Sequence, residues 1–227
     1  YERPQAGRKR QFHQVGVEAT GAPNPLADAE CIALQKHLLD EWGLSGSRIQ
    51  ISTRGEPSDR KPVADGLRAA LQPHLYDLCD DCQRRIDENV LRVIDCKNEN
   101  CQKLLYNAPK ITNNLCQKCD SDFEKLKEIL DFNNIDYEID TNLVRGLDYY
   151  SQTAFEFTSN EIGAQSAIAG GGRYDRLVEF LGGKPTGGIG FAIGIERLLE
   201  LIKMPKCKQD VIYLAPYLNC CLVVCLY

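Results

Sequence analysis

The chain has 227 residues, of which 43% are hydrophobic and 26% charged, and its formal net charge is −5. That length can bury a sizeable core as one domain with an inserted module. The mild acidity excludes a chain-wide basic field for nucleic acid, so any RNA contact must come from local patches. The longest apolar run, Cys220 to Tyr227, is too short to span a bilayer, and no signal peptide is visible; a cytoplasmic protein without a membrane partner is expected. The chain opens on Tyr1 without a methionine and reads as a piece of a longer protein.

In chain order, Gln11-Phe-His-Gln-Val-Gly-Val-Glu18 alternates in side-chain character and is bounded by Gly7 and Gly21, which predicts a strand. The basic run Gln5 to Arg10 before it reads as a hairpin loop, and Pro23 to Pro25 as a turn. Leu26 to Gly43 has apolar residues at helical spacing, with Asp28 and Glu30 near its start and Gly43 as a stop. Arg48 to Thr53 is a short strand, and the Pro-rich Arg54 to Asp65 leads into something different. From Gly66 to about Phe132 the pattern is helical and heavily charged, an inserted module with six cysteines. Tyr137 to Asp140 then leads on to strands at Thr153 to Thr158 and Ser166 to Ala169. A short helix follows over Asp175 to Leu181, and Gly188 to Gly194 is a strand that feeds a helix over Glu196 to Ile202. Strands joined largely by hairpins with helices grouped around them predict an α+β fold on an antiparallel sheet. There is no Rossmann fingerprint or P-loop.

Three segments carry the chemistry: Leu143-Val-Arg-Gly-Leu-Asp-Tyr-Tyr150, Ala169-Gly-Gly-Gly-Arg-Tyr-Asp175 and Gly190-Phe-Ala-Ile-Gly-Ile-Glu-Arg197. Each sets an arginine or tyrosine beside glycines in apolar surroundings. Glycine permits close approach of backbone or ligand, and arginine offers a charged fork for carboxylate and phosphate. Together they describe an aromatic-lined pocket for a small anionic ligand. Upstream, Gln14, Gly16 and Glu18 are spaced by two and share one face of their strand. The glycine between them leaves a hole in which a carboxylate can meet an imidazole N–H or an ammonium. An exposed polar face of an edge strand would read the same way. A structural ion pair at Arg145 and two core tyrosines at 149 and 150 are the plainer account of the first segment.

These segments resemble the histidine-specific signature and motif 3 of histidyl-tRNA synthetases, and Glu2 to Glu18 resembles motif 2 of that family. The resemblance covers roughly residues 1 to 216 and implies the antiparallel catalytic sheet of a class II aminoacyl-tRNA synthetase, flanked by helices. Catalytic core would occupy 1–65 and 133–206, the helical insertion 66–132, and the start of an anticodon-binding domain 207–227. It implies that Arg145, Arg197 and Arg8 serve catalysis. Gln14, Glu18, Arg145, Tyr149, Tyr150 and Tyr174 would bind histidine; Glu2, Arg8, Phe12 and Arg197 would bind ATP, with Phe12 on the adenine. The implied partners are L-histidine, ATP with Mg²⁺, tRNA(His) and a second copy of the chain.

The implied chemistry is attack of a histidine carboxylate on the ATP α-phosphate, then transfer of the histidyl group to the 3′-terminal ribose. A carboxylate is already a nucleophile, so His13, His37 and His74 are not needed as a base. The family's arginine ahead of the Tyr1 position, its motif 1 and its ammonium-holding loop do not appear, so the chain is expected to be impaired on its own. A regulatory subunit of ATP phosphoribosyltransferase shares this pocket, but a histidine sensor has no use for ATP-gripping arginines.

Eleven cysteines without signs of secretion suggest reduced thiols or a metal site. Cys79, Cys82, Cys116 and Cys119 form two Cys-x-x-Cys pairs, the usual way of delivering four thiolates to one zinc ion. The pairs lie 33 residues apart, and Cys96 and Cys101 offer a competing pair. Free thiols, or a metal-stabilised RNA- or protein-binding module, are the other accounts of this region.

Overall fold

A computed structural model describes residues 11–143, 149–160 and 167–202, together with the backbone of two further strands. A six-stranded sheet has the order β1-β6-β5-β4-β2-β3. Its strands are β1 (Gln14–Thr20), β2 (Arg48–Thr53), β3 (Glu138–Ile139), β4 (Thr153–Thr158), β5 (Ala167–Arg173) and β6 (Gly188–Gly194). All pairings are antiparallel except the short one between β2 and β3. The expected antiparallel α+β sheet is therefore present, with one parallel strand added at its edge. Two more strands, β7 (Ile212–Tyr217) and β8 (Cys221–Leu226), pair as a separate hairpin.

Helix α1 (Pro25–Glu41) starts where the sequence supplies a cap. The Asn24 side chain accepts from the Ala27 N–H at 3.3 Å and Pro25 holds the first helical position. It ends at Gly43, whose φ of +82° suits a residue without Cβ. Helix α1 and helix α5 (Gln117–Phe132) pack against one face of the sheet. Ile32 and Leu39 of α1 and Leu126 and Leu130 of α5 meet Ile49, Ile51, Phe155, Phe157, Ile189 and Ile193 there, all buried. Each such side chain contributes roughly 1.5–3 kcal/mol on burial.

A second apolar cluster, from Val63 to Ile111, belongs to the insertion. It is built from α2 (Pro57–Leu71), α3 (Asp80–Asn89), α4 (Glu99–Leu105) and three 3₁₀ turns. That cluster starts ahead of position 66. Helix α2 begins at Pro57 because a proline suits the first helical turn, and the Glu56 N–H donates to Asp59 Oδ2 at 2.9 Å. Pro62, in the Pro-rich stretch that leads into the insertion, lies inside that helix. At the other end, the buried stripe of Phe123, Leu126 and Leu130 assigns α5 to the main core. Near the C-terminal end of the described core, α6 (Leu177–Phe180) is shorter than expected and α7 (Ile195–Leu201) follows β6 directly.

Candidate active site

The two faces of the sheet differ in what their register brings together. On one, Phe155 opposes Ile51 and Phe157 opposes Ile49, with Phe191 and Ile193 of β6 further along the sheet; this face carries the core. On the other, Glu18 pairs with Gly190, Gly190 with Gly172, and Gly172 with Ala154. The next rows add Gly16 opposite Ala192 and Gly170, and Thr20 opposite Gly188. This second face is a floor of glycines and alanines, bare enough for a small ligand to lie against backbone. The expected strand ending at Ala169 in fact continues through Gly170, Gly171 and Gly172 to Arg173. The glycine run is sheet rather than loop.

Over that floor stand the tyrosines. The Tyr174 hydroxyl donates a hydrogen bond to Glu18 Oε2. Burial and this bond raise the Tyr174 pKa, so the phenol stays a protonated donor. The Tyr149 ring lies 5.0 Å from that of Tyr150 and meets Tyr174 edge-on at 6.2 Å. The glycines make this arrangement possible. A Cβ on Gly190 would sit 1.8 Å from Glu18 Oε2, one on Gly188 would sit 2.3 Å from the Tyr174 ring, and one on Gly172 would sit 2.8 Å from Tyr150. Glu18, Tyr149, Tyr150 and Tyr174 thus come together from elements far apart in sequence. Gln14 shares the face but stands at the opposite end of β1, paired with Gly194.

Sequence reasoning missed the brace behind this site. Arg173 and Asp28 are each 1% exposed and form an ion pair. The guanidinium also donates to Asp175 at 2.9 Å and to the Ala22 and Asn24 carbonyls at 3.0 Å, so all five of its N–H groups are used. Burial pushes the Asp28 carboxyl above its ordinary value, and Arg173 opposes that rise. The same brace reaches the floor, because Asp175 Oδ1 accepts from the Gly188 N–H at 3.1 Å. A charged residue inside a glycine-rich buried strand was the available signal. Glu156 was also passed over; it is half-buried on the floor face, opposite Gly170.

Arg197 is half-buried in the first turn of α7 and donates to the Ala167 carbonyl. Beside it, Glu196 ties α7 to the start of β1. Its carboxylate accepts from the His13 backbone N–H at 3.0 Å and lies 2.8 Å from His13 Nδ1, bonds that hold its pKa down at about 2. Phe12 is 56% exposed just ahead of β1. Glu2, Arg8 and Arg145 lie outside the described residues.

The cysteines regroup. The expected quartet of Cys79, Cys82, Cys116 and Cys119 is divided between two clusters, because Cys79 and Cys82 start α3 whereas Cys116 and Cys119 start α5, which leaves the insertion for the main core. Cys79 and Cys82 meet Cys96 and Cys101; Cys116 and Cys119 meet Asp59. Burial works against the charge of Asp59, but the Glu56 and Cys116 N–H groups and both thiols outweigh it and hold its pKa low. Those two thiols are accounted for as donors to a capping carboxylate.

The sequence matches the family described as Histidyl-tRNA synthetase over residues 1–198. A histidine–tRNA ligase of Sulfurimonas denitrificans is 56% identical over 214 residues, which is 94% of this chain and 53% of that protein. A solved apo histidyl-tRNA synthetase from S. aureus is 38% identical with a TM-score of 0.68, over 89% of this chain and 51% of that one. A solved protein from Bacillus halodurans C, described as an ATP phosphoribosyltransferase regulatory subunit/histidyl-tRNA synthetase, covers 85% of this chain and 54% of its own, with a TM-score of 0.58; at 23% identity it shares the fold. The chain spans about half the length of the curated relatives it matches. With its glycine-floored sheet and its match over most of its length, the chain belongs to the histidyl-tRNA synthetase family.

Proposed function

We propose that this chain carries the histidine-activating core of a histidine–tRNA ligase, which makes histidyl-adenylate from L-histidine and ATP and passes the histidyl group to tRNA(His). The observation that supports this reading is Glu18, hydrogen-bonded by Tyr174 over a glycine floor with Tyr149 and Tyr150 alongside. A carboxylate holding one neutral donor keeps acceptor capacity for an imidazole N–H. The reacting group is the substrate carboxylate. It attacks the α-phosphorus in line and pyrophosphate leaves. The nucleophile is already anionic, so the protein's task is positioning and charge neutralisation rather than proton removal. In this reading Arg145 meets the carboxylate and the α-phosphate. Arg197 grips the γ-phosphate, Glu2 and Arg8 contact ATP, Phe12 stacks on adenine and Gln14 faces the amino acid.

Mg²⁺ belongs to this reading as the companion of ATP. Such an ion is usually held by substrate phosphates together with one or two carboxylates, and it would neutralise phosphate charge there. The reading also carries a homodimer and a cytoplasmic setting for the whole protein. No helix among the described residues is long and apolar enough to cross a membrane.

ATP–pyrophosphate exchange by the whole protein tests the proposal, with each amino acid supplied alone. Histidine should support exchange and the others should not. Arg145→Ala should slow exchange roughly a hundredfold, the cost of about 3 kcal/mol for one contact that tightens in the transition state. Glu18→Ala should instead raise the KM for histidine roughly ten- to hundredfold, as expected for one charge-assisted hydrogen bond. Histidine binding without any exchange would overturn the ligase reading in favour of a sensor.

A further inference from the structure

We propose that Cys79, Cys82, Cys96 and Cys101 form a structural zinc site that pins α3 to α4 inside the insertion. Their four sulfur atoms all lie within 4.8 Å of one another, and the Cys79 and Cys96 sulfurs are 3.7 Å apart. A tetrahedral ion with Zn–S bonds of about 2.3 Å requires sulfur–sulfur edges of about 3.8 Å. The thiols therefore need to contract by about 1 Å at most to close around the ion. A disulfide would need about 2.05 Å, and all four cysteines are free.

Each pair is delivered by its own turn. Cys79 caps α3, and its carbonyl accepts from the Cys82 and Gln83 N–H groups at 2.9 and 3.0 Å, which brings the Cys82 sulfur round beside its own. Across from it, the Asn98 side chain caps α4 by accepting from the Asn100 and Cys101 N–H groups. Two backbone N–H groups point at sulfur: Cys79 N–H donates to Cys101 Sγ at 3.3 Å and Asn98 N–H to Cys96 Sγ at 3.4 Å. Such outer bonds fix the orientation of ligating sulfurs and help carry thiolate charge.

The thiols sit in the insertion's apolar core, yet they face one another rather than spreading among its aliphatic side chains. The contrast with Cys116 and Cys119 is informative, since those have a carboxylate to donate to, whereas this quartet contains only sulfur. The apolar cluster around it is small and includes Cys82, Cys96 and Cys101 themselves. Zinc binding sends the thiol protons to solvent, and its free energy adds to that of folding. An insertion of this size gains from such a staple.

The test is elemental analysis of the whole protein, purified reduced and without chelator, which should give about one zinc per chain. Cys101→Ser should lose that zinc and Cys119→Ser should keep it. Because Cys101→Ser can unfold the insertion, cobalt(II) added to zinc-stripped wild type supplies a second measurement. Strong thiolate-to-cobalt absorption, with visible bands of a tetrahedral centre, is the expected result. Absence of both zinc and the cobalt spectrum, two disulfides in freshly purified protein, or zinc lost on Cys119→Ser but kept on Cys101→Ser would each overturn the assignment. Pyrophosphate exchange in the same samples reports on the glycine-floored pocket separately, so failure of one proposal leaves the other standing.

Discussion

Replacing Asp28 with asparagine isolates the brace behind the pocket. The change keeps size and shape, and it leaves the Arg173 guanidinium, 1% exposed, with its main counter-charge gone. Removing one partner of a buried ion pair typically costs about 3–5 kcal/mol, most of it the penalty of an uncompensated charge. Asp175 remains as a second carboxylate at 2.9 Å, but it is a quarter exposed and screened, which places the expected cost toward the lower end of that range. At about 2–4 °C per kcal/mol for a domain of this size, melting should fall by roughly 6–12 °C. Lys125→Ala is the control: the Lys125–Glu128 pair on α5 is solvent-exposed and should be worth roughly 0.2–0.5 kcal/mol. Differential scanning calorimetry of the whole protein measures both. Histidine KM should rise in Asp28→Asn as well, because Arg173 precedes Tyr174 and Asp175 holds the Gly188 N–H. An Asp28→Asn protein melting within about 2 °C of wild type would refute the argument that this pair is an internal brace.

Two further changes follow from the same geometry. Gly190→Ala puts a methyl group where the Glu18 carboxylate lies, so it should impair histidine binding at least tenfold, whereas Gly46→Ala, with nothing within 4 Å, should leave it unchanged; equal KM values for the two variants would remove Glu18 from the pocket. Glu196 titrates at about 2 in the folded chain against an ordinary 4.5. A depressed carboxyl stabilises above its unfolded value and loses that contribution as pH falls, so the His13–Glu196 tie should fade between about 4.5 and about 2. Melting curves across that window should be flatter for Glu196→Gln than for wild type, and parallel curves would show that the tie carries no acid sensitivity.

The legible parts of the fold were those where a local pattern decides. Thr153 to Thr158 and Arg48 to Thr53 alternate, and they form strands with the expected limits. Gly43 stops α1 because positive φ is a property of one residue, whereas Asn24 and Pro25, read as part of a turn, in fact cap and begin that helix. Where chemistry and pattern conflicted, the expectation slipped. Prolines at 57 and 62 read only as the entry to something different, yet the first suits a helix start and the second is accommodated within α2. The charged surface of α5 made it look continuous with the insertion, although its apolar stripe packs on the sheet. Cysteine spacing alone could not choose partners, since Cys96 and Cys101 were as available as Cys116 and Cys119 until the fold fixed which helix starts face each other.

The pocket itself lay at the limit of what one sequence can disclose. Period two along β1 suffices to place Gln14, Gly16 and Glu18 on one face. It does not say what lies beside them, because Gly190 and Gly172 reach Glu18 only through the register of β6 with β1 and β5. A slip of one residue in either pairing would exchange the glycine floor for Phe191 or Arg173 and bury the carboxylate against the core face. Register is held by that opposite face, where Phe155, Phe157, Ile189 and Ile193 must all stay buried at once. The apolar residues that never touch the pocket therefore determine its composition. Glycine is tolerated at so many positions of these central strands because the far side of each row supplies the packing that the near side gives up.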